Sequence, residues 1–189
     1  MSDDIKLSGV HHLALVCEDM ERTVDFYTNV LGMKLIKGFD LDRGAGQHFF
    51  FDMGAGLLAF FWFSDAGKAQ PGIASASNLV GRGGTISSSH GSMNHVAFDV
   101  PADKIDEYRE TLIARGVDVT PVINHDDVIT GEEARTADQT TDKTWLRSCY
   151  FYDPDGIMLE LCATLQAGSP HVDLPVNADG VKASGEALA

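Results

Sequence analysis

A histidine, an apolar residue and an alanine recur in that order at two places, His12-Leu13-Ala14 and His95-Val96-Ala97, 83 residues apart. Each triplet lies in an apolar run of strand length, residues 11–17 and 94–100. After the first run, Asp19 is an N-cap residue type, and Met20, Val24, Tyr27 and Leu31 make one helical stripe that stops at Gly32. After the second, Pro101 opens a helix with Ile105, Tyr108 and Leu112 on one stripe, and Gly116 stands where Gly32 stood. Strands are expected next at 33–39, 47–52 and 57–63 in the first copy, and at 117–123, 145–152 and 157–162 in the second. A chain that runs β-α-β-β-β twice is an α+β protein made of two copies of one unit. The modules are residues 8–64 and 92–164 of a single domain, 8–164. Residues 64–91, rich in Gly, Ser and Ala, read as a linker. Residues 124–143 form a long polar loop, and 165–189 a poorly ordered tail.

Side chains alternate along a strand, so His12 shares a face with Ala14 and Val16, and His95 with Ala97 and Asp99. The small neighbour leaves space beside each imidazole, unlike a tightly packed core position. Glu160 stands in Met158-Leu159-Glu160-Leu161-Cys162, a strand apolar on both faces. A carboxylate buried there alone costs several kcal/mol, so it pairs with another group or holds a metal. Two imidazoles and a carboxylate suit a first-row divalent ion and leave positions open for water or substrate. His12, His95 and Glu160 are therefore the candidate ligands. The two histidines are the same position in two copies, and a pseudo-twofold can bring such positions to one axis.

The pieces His12-Leu13-Ala14-Leu15, Asp25-Phe26-Tyr27 through Leu31-Gly32-Met33, Asn94-His95-Val96-Ala97-Phe98, and Tyr152-Asp153-Pro154-Asp155-Gly156 ending in Leu159-Glu160-Leu161 carry a family likeness. Together they resemble the vicinal oxygen chelate superfamily of glyoxalase I, fosfomycin-resistance enzymes, extradiol dioxygenases and bleomycin-resistance proteins. The resemblance implies paired βαβββ modules whose curved mixed sheet half-encloses a metal-binding cavity. It implies ligands on the first and last strands of each module, which His12, His95 and Glu160 match. The fourth such position falls near Phe60, which cannot ligate. What remains is the two-histidine, one-carboxylate set of non-haem Fe(II) oxygenases.

Extradiol members also carry a tyrosine ten residues before the ligating glutamate. Tyr150 stands there as the candidate catalytic residue, its hydroxyl placed to hydrogen-bond a substrate oxygen. Their acid–base histidine has no counterpart near 56–57, nor their signature histidine near 142–144, which leaves His48 and His125 to serve. The implied function is a metal-dependent enzyme acting on a small oxygen-chelating substrate, first of all a ring-cleaving dioxygenase. Fe(II) is the favoured ion, with Mn(II), Zn(II) and Ni(II) as alternatives. Two other functions compete: a lyase or isomerase using the same ion, and a metal-free binding protein with a cavity lined by Phe50, Phe60, Trp62 and Trp145. Modules of this kind pair within one chain or exchange across a homodimer.

A formal charge of −14 repels phosphate backbones and argues against nucleic acid as a partner. No apolar run reaches the roughly 20 residues of a membrane span, and the acidic start lacks a signal-peptide core, so a cytoplasmic protein with no membrane partner is expected. Three cysteines, Cys17, Cys149 and Cys162, suit reduced thiols better than a disulfide framework. Aromatic or apolar substrates fit the candidate strands better than anionic ones, because Arg147 is the one cation near them.

Overall fold

The computed structural model describes residue 5 and residues 7–78, 86–127 and 136–166. In the first module, β1 (His12–Val16) leads into α1 (Met20–Asp25), which continues as a π-helical turn, Phe26–Val30. Asp19 caps the helix, its carboxylate accepting from the Arg22 amide at 3.0 Å. Gly32 ends it with φ 77°, and Gly116 ends the second helix with φ 84°, both in the left-handed region where a side chain is strained. Strands β2 (Lys34–Asp40), β3 (Gly46–Asp52) and β4 (Leu57–Phe63) complete the module.

The second module holds β5 (Val96–Asp99), α2 (Ile105–Ala114), β6 (Ile123–Asp126), β7 (Thr136–Ala137), β8 (Thr144–Tyr152) and β9 (Met158–Thr164). The expected strand at 117–123 is displaced to β6. Pro121 has no amide hydrogen to give to a ladder. Just before it, Thr120 substitutes its side chain for backbone, its Oγ1 accepting from the Tyr150 amide at 2.9 Å while its own amide donates to the Tyr150 carbonyl at 3.0 Å. The expected loop at 124–143 contains the rest of β6 and the short β7 paired with it. Residues 128–135 of that loop, and the tail beyond residue 166, lie outside the described residues.

Two mixed sheets result, in the order β1-β4-β3-β2 and β5-β9-β8-β6-β7. β1 pairs with β4, and β5 with β9, in parallel, so each module repeats the other's arrangement. One apolar core joins them. Leu13, Leu15, Phe51, Leu58, Phe60 and Trp62 of the first sheet meet Val96, Phe98, Cys149, Phe151, Leu159 and Leu161 of the second, with Tyr27 and Leu112 from the helical segments. Burying a side chain the size of Phe51 or Phe151 stabilises by about 2–3 kcal/mol. Because these residues fill the space between the sheets, their strand neighbours face outward on both sides. The His12 face and the Glu160 face therefore point away from each other.

The expected linker is partly built in. Ser75 and Ala76 are buried, and the Ser75 hydroxyl accepts from the Met158 amide at 3.0 Å. The Asp153-Pro154-Asp155-Gly156 turn ties the modules together. Asp153 accepts from the Tyr27 hydroxyl at 3.1 Å and from the amides of Asp155 and Ile157 at 2.9 and 2.8 Å, and Asp155 pairs with Arg22 at 2.6 Å. Burial pushes the Asp153 carboxyl up from 3.8 to about 6, against the pull of its hydrogen bonds. A raised carboxyl favours the fold while protonated. Its contribution is full below about pH 4 and is lost as pH rises through about 6, a swing of about 2–3 kcal/mol. The stability of wild type relative to Asp153→Asn should fall by that amount between pH 4 and 7, read as urea midpoints. A difference independent of pH would show that Asp153 titrates normally.

Candidate metal centre

Glu160 lies on β9 opposite Ala97 of β5 on one side and Tyr150 of β8 on the other. It is 4% exposed. His95, one residue before β5, brings its Nε2 to 3.0 Å from Glu160 Oε2. That is about the separation of two ligands at right angles on an ion with bonds of about 2.1 Å. Burial pushes the Glu160 carboxyl up, but its contact with His95 pulls it below its ordinary value, so it is a charged ligand at neutral pH. Tyr150 stands edge-on to His95, ring centroids 6.0 Å apart. Burial first, and then the charge of Glu160, raise its hydroxyl well above the usual phenol value, so it keeps its proton.

His12 is not part of this group. It lies on the exposed face of β1 with Ala14 and Val16, its ring 6.3 Å from Phe50. Among the described residues, no three His, Cys, Asp or Glu side chains gather closely enough to share an ion. One chain thus brings together two of the three expected donors.

The strand register corrects the fourth position. Ala14 pairs with Ala59 as Ala97 pairs with Glu160, so the counterpart of Glu160 is Ala59. Phe60 points the other way and is fully buried in the core. The position still holds no donor, and a methyl group leaves it open. The same register makes Phe50 the counterpart of Tyr150, since Phe50 pairs with Ala59. Of the aromatics expected around a cavity, Phe60 and Trp62 belong to the core, while Phe50 lies on the His12 face. Arg147 points towards α2, where it holds Asp106 at 2.9 Å, and its Nε donates to Asn124 Oδ1 of the neighbouring β6 at 3.1 Å. It leaves the Glu160 face without that cation.

Sequence reasoning passed over Asn94, whose Oδ1 is 2.8 Å from His95 Nδ1. Its place beside a candidate ligand was the available signal. The two candidate acid–base histidines, His48 and His125, both have a buried Nε2 with no hydrogen-bond partner among the described residues. His48 stacks on Phe61 at 3.5 Å on the first sheet. His125 faces the same side of the second sheet as Ile123, which packs against Tyr150 and Met158. Burial lowers the affinity of both rings for a proton.

The three cysteines are free. No helix among the described residues is long and apolar enough to cross a membrane.

Known proteins share this fold. The chain is 26% identical over 159 residues to the fosfomycin resistance protein FosX of Listeria innocua, covering 83% of this chain and 90% of that one. It is 26% identical over 143 residues to the putative ring-cleaving dioxygenase MhqE of Bacillus subtilis, covering 73% of this chain and 40% of that longer one. The crystal structure of FosX from Listeria monocytogenes, complexed with Mn(II) and sulfate, superposes with a TM-score of 0.53 at 22% identity, over 85% of this chain and 96% of that one. The model of the glyoxalase/bleomycin resistance protein/dioxygenase superfamily matches residues 9–161. With two βαβββ-like modules in two mixed sheets and a match across most of its length, the chain belongs to that superfamily, the vicinal oxygen chelate proteins.

Proposed function

We propose that the chain is a metal-dependent enzyme acting on a small oxygen-chelating substrate, with a site completed between two copies. His95 and Glu160 would hold the ion from one copy, and His12 from the other. The sheet orders support this reading. Among the described residues β1 and β5 are both edge strands, with no strand along one side and with exposed cavity-side residues. Setting β1 of one copy beside β5 of the next joins two sheets into one curved wall. It carries His12 towards His95 and Glu160 of the partner subunit and closes the pair with twofold symmetry.

A divalent ion bound there would supply Lewis acidity to neighbouring substrate oxygens. The chain's own residues do the rest. Tyr150, kept protonated beside Glu160, donates a hydrogen bond to a substrate oxygen. Ala14, Ala59 and Ala97 leave space for the substrate, and Phe50 and Met158 give the cavity apolar walls. With Arg147 turned to α2, aromatic or neutral substrates are favoured over anionic ones.

Within this class the preferred activity is ring-cleaving dioxygenation with Fe(II). The observation that carries it is the pairing of Tyr150 with Glu160 beside His95, at a centre whose fourth protein position is an alanine. Protein loaded with Fe(II) under nitrogen should consume oxygen on addition of a catechol. No uptake across a broad catechol panel removes that preference. The second reading, lyase or isomerase chemistry with Mn(II), is supported by the likeness to FosX over nearly its whole length and by the Mn(II) in the FosX crystal structure. Turnover with Mn(II) in the absence of oxygen would establish it instead.

A further inference from the structure

Each candidate ligand histidine is held at Nδ1 by the residue just before it. His11 Nδ1 is 2.9 Å from His12 Nδ1, and Asn94 Oδ1 is 2.8 Å from His95 Nδ1. The two holders differ in kind. An imidazole presents a proton or a lone pair according to its own state, whereas an amide fixes which end faces the ligand. Both hydrogens of Asn94 Nδ2 are already used, one on the Ile86 carbonyl at 2.6 Å and one on the Ser88 hydroxyl at 2.9 Å. The Asn94 carbonyl of the backbone is held as well, accepting from the Ala76 amide and the Ser75 hydroxyl, each at 3.0 Å. The amide is therefore clamped with its oxygen towards His95, and an oxygen there can only accept.

We infer that Asn94 is a positioning residue that keeps the His95 proton on Nδ1 and so makes Nε2 the metal-binding atom. The inference rests on the proposed metal site. It gives the segment before β5 a part in that site, because residues 75–76 and 86–88 hold Asn94 in place. With its Nδ1 proton held by Asn94, the ring meets an ion through Nε2, the atom 3.0 Å from Glu160, and any proton Nε2 shares with that carboxylate is the one an ion displaces. Without the clamp the ring is free to take the other tautomer or to turn. Loss of such an outer hydrogen bond weakens metal binding about 10–100-fold.

The test uses full-length protein labelled with 15N-histidine, first without metal and then titrated with Zn(II). Wild type should show a slowly exchanging Nδ1–H on His95, and Zn(II) should shift the Nε2 resonance. Asn94→Leu should lose the protected Nδ1–H and bind Zn(II) about 10–100-fold more weakly. Asn94→Asp, which keeps an acceptor, should retain the signal and stay within about threefold of wild-type affinity. A wild-type Zn(II) complex bound through Nδ1 overturns the inference even if Asn94→Leu does not fold. So does an Asn94→Leu protein with unchanged affinity and an unchanged Nδ1–H signal. If Zn(II) leaves the His95 resonances untouched in wild type, the metal-site reading fails, and the metal-free Nδ1–H signals still decide whether Asn94 fixes the proton.

Discussion

Replacing His12, His95 or Glu160 by alanine should each lower divalent-metal affinity by about a few hundredfold. Structural zinc sites hold about 10–16 kcal/mol over four donors, so one donor carries about 3–4 kcal/mol. At 1.4 kcal/mol per tenfold, that is between two and three orders of magnitude in affinity. The three variants should part company in stability. His95→Ala leaves Glu160, 4% exposed, without the imidazole that holds it, and breaking such a buried pair costs about 3 kcal/mol or more. Glu160→Ala removes the buried charge together with its need for a partner, so its cost in the metal-free chain is smaller. His12 lies on an exposed strand face, and His12→Ala should leave the urea midpoint of the metal-free protein unchanged. Metal analysis beside urea denaturation reads both effects. Full metal occupancy in all three variants would mean that these residues are not the ligands.

The sequence made the duplication legible because its marks are local. A histidine beside an alanine, a glycine after a helix and an acidic turn before the last strand can all be read without knowing what packs where. Glu160 was legible for an energetic reason, as a charge in a strand with no polar face. The misplaced fourth position shows the limit. Leu57 to Phe63 is apolar on both faces, so alternation could not say which residue looks towards the cavity. Only the pairing of Ala14 with Ala59 settles it, one residue away from Phe60. Arg147 shows the same limit, since its direction depends on Asp106 in a helix 41 residues earlier.

The displaced β6 has a different origin. Val117 to Ile123 has strand-like composition, but Thr120 and Pro121 interrupt the backbone ladder, and a side chain fills the gap. The expected linker misled through composition. Small polar residues suit a flexible tether, yet Ser75 and Ala76 are small because they pack against β9 and Asn94. Hardest to read was the separation of His12 from His95 and Glu160 within one chain. Alternation says which residues share a strand face. It does not say that the two faces of one chain turn their backs on each other.

The proposed sharing of the site between two copies leads to the second large effect, which appears only when two defective copies meet. In a dimer of two His12→Ala chains neither shared site has its histidine, and in a dimer of two Glu160→Ala chains neither has its carboxylate. A mixed dimer is different. The His12 of the Glu160→Ala copy meets the intact His95 and Glu160 of the His12→Ala copy, which restores one site, while the other loses both residues. Co-expressing the two variants with different affinity tags and purifying on both isolates this mixed dimer. Its metal content, measured against each variant purified alone, tests the shared site directly. The mixed dimer should hold about one tightly bound ion, and neither parent any. A mixed dimer as empty as its parents, or a failure to isolate any dimer carrying both tags, would contradict the shared site.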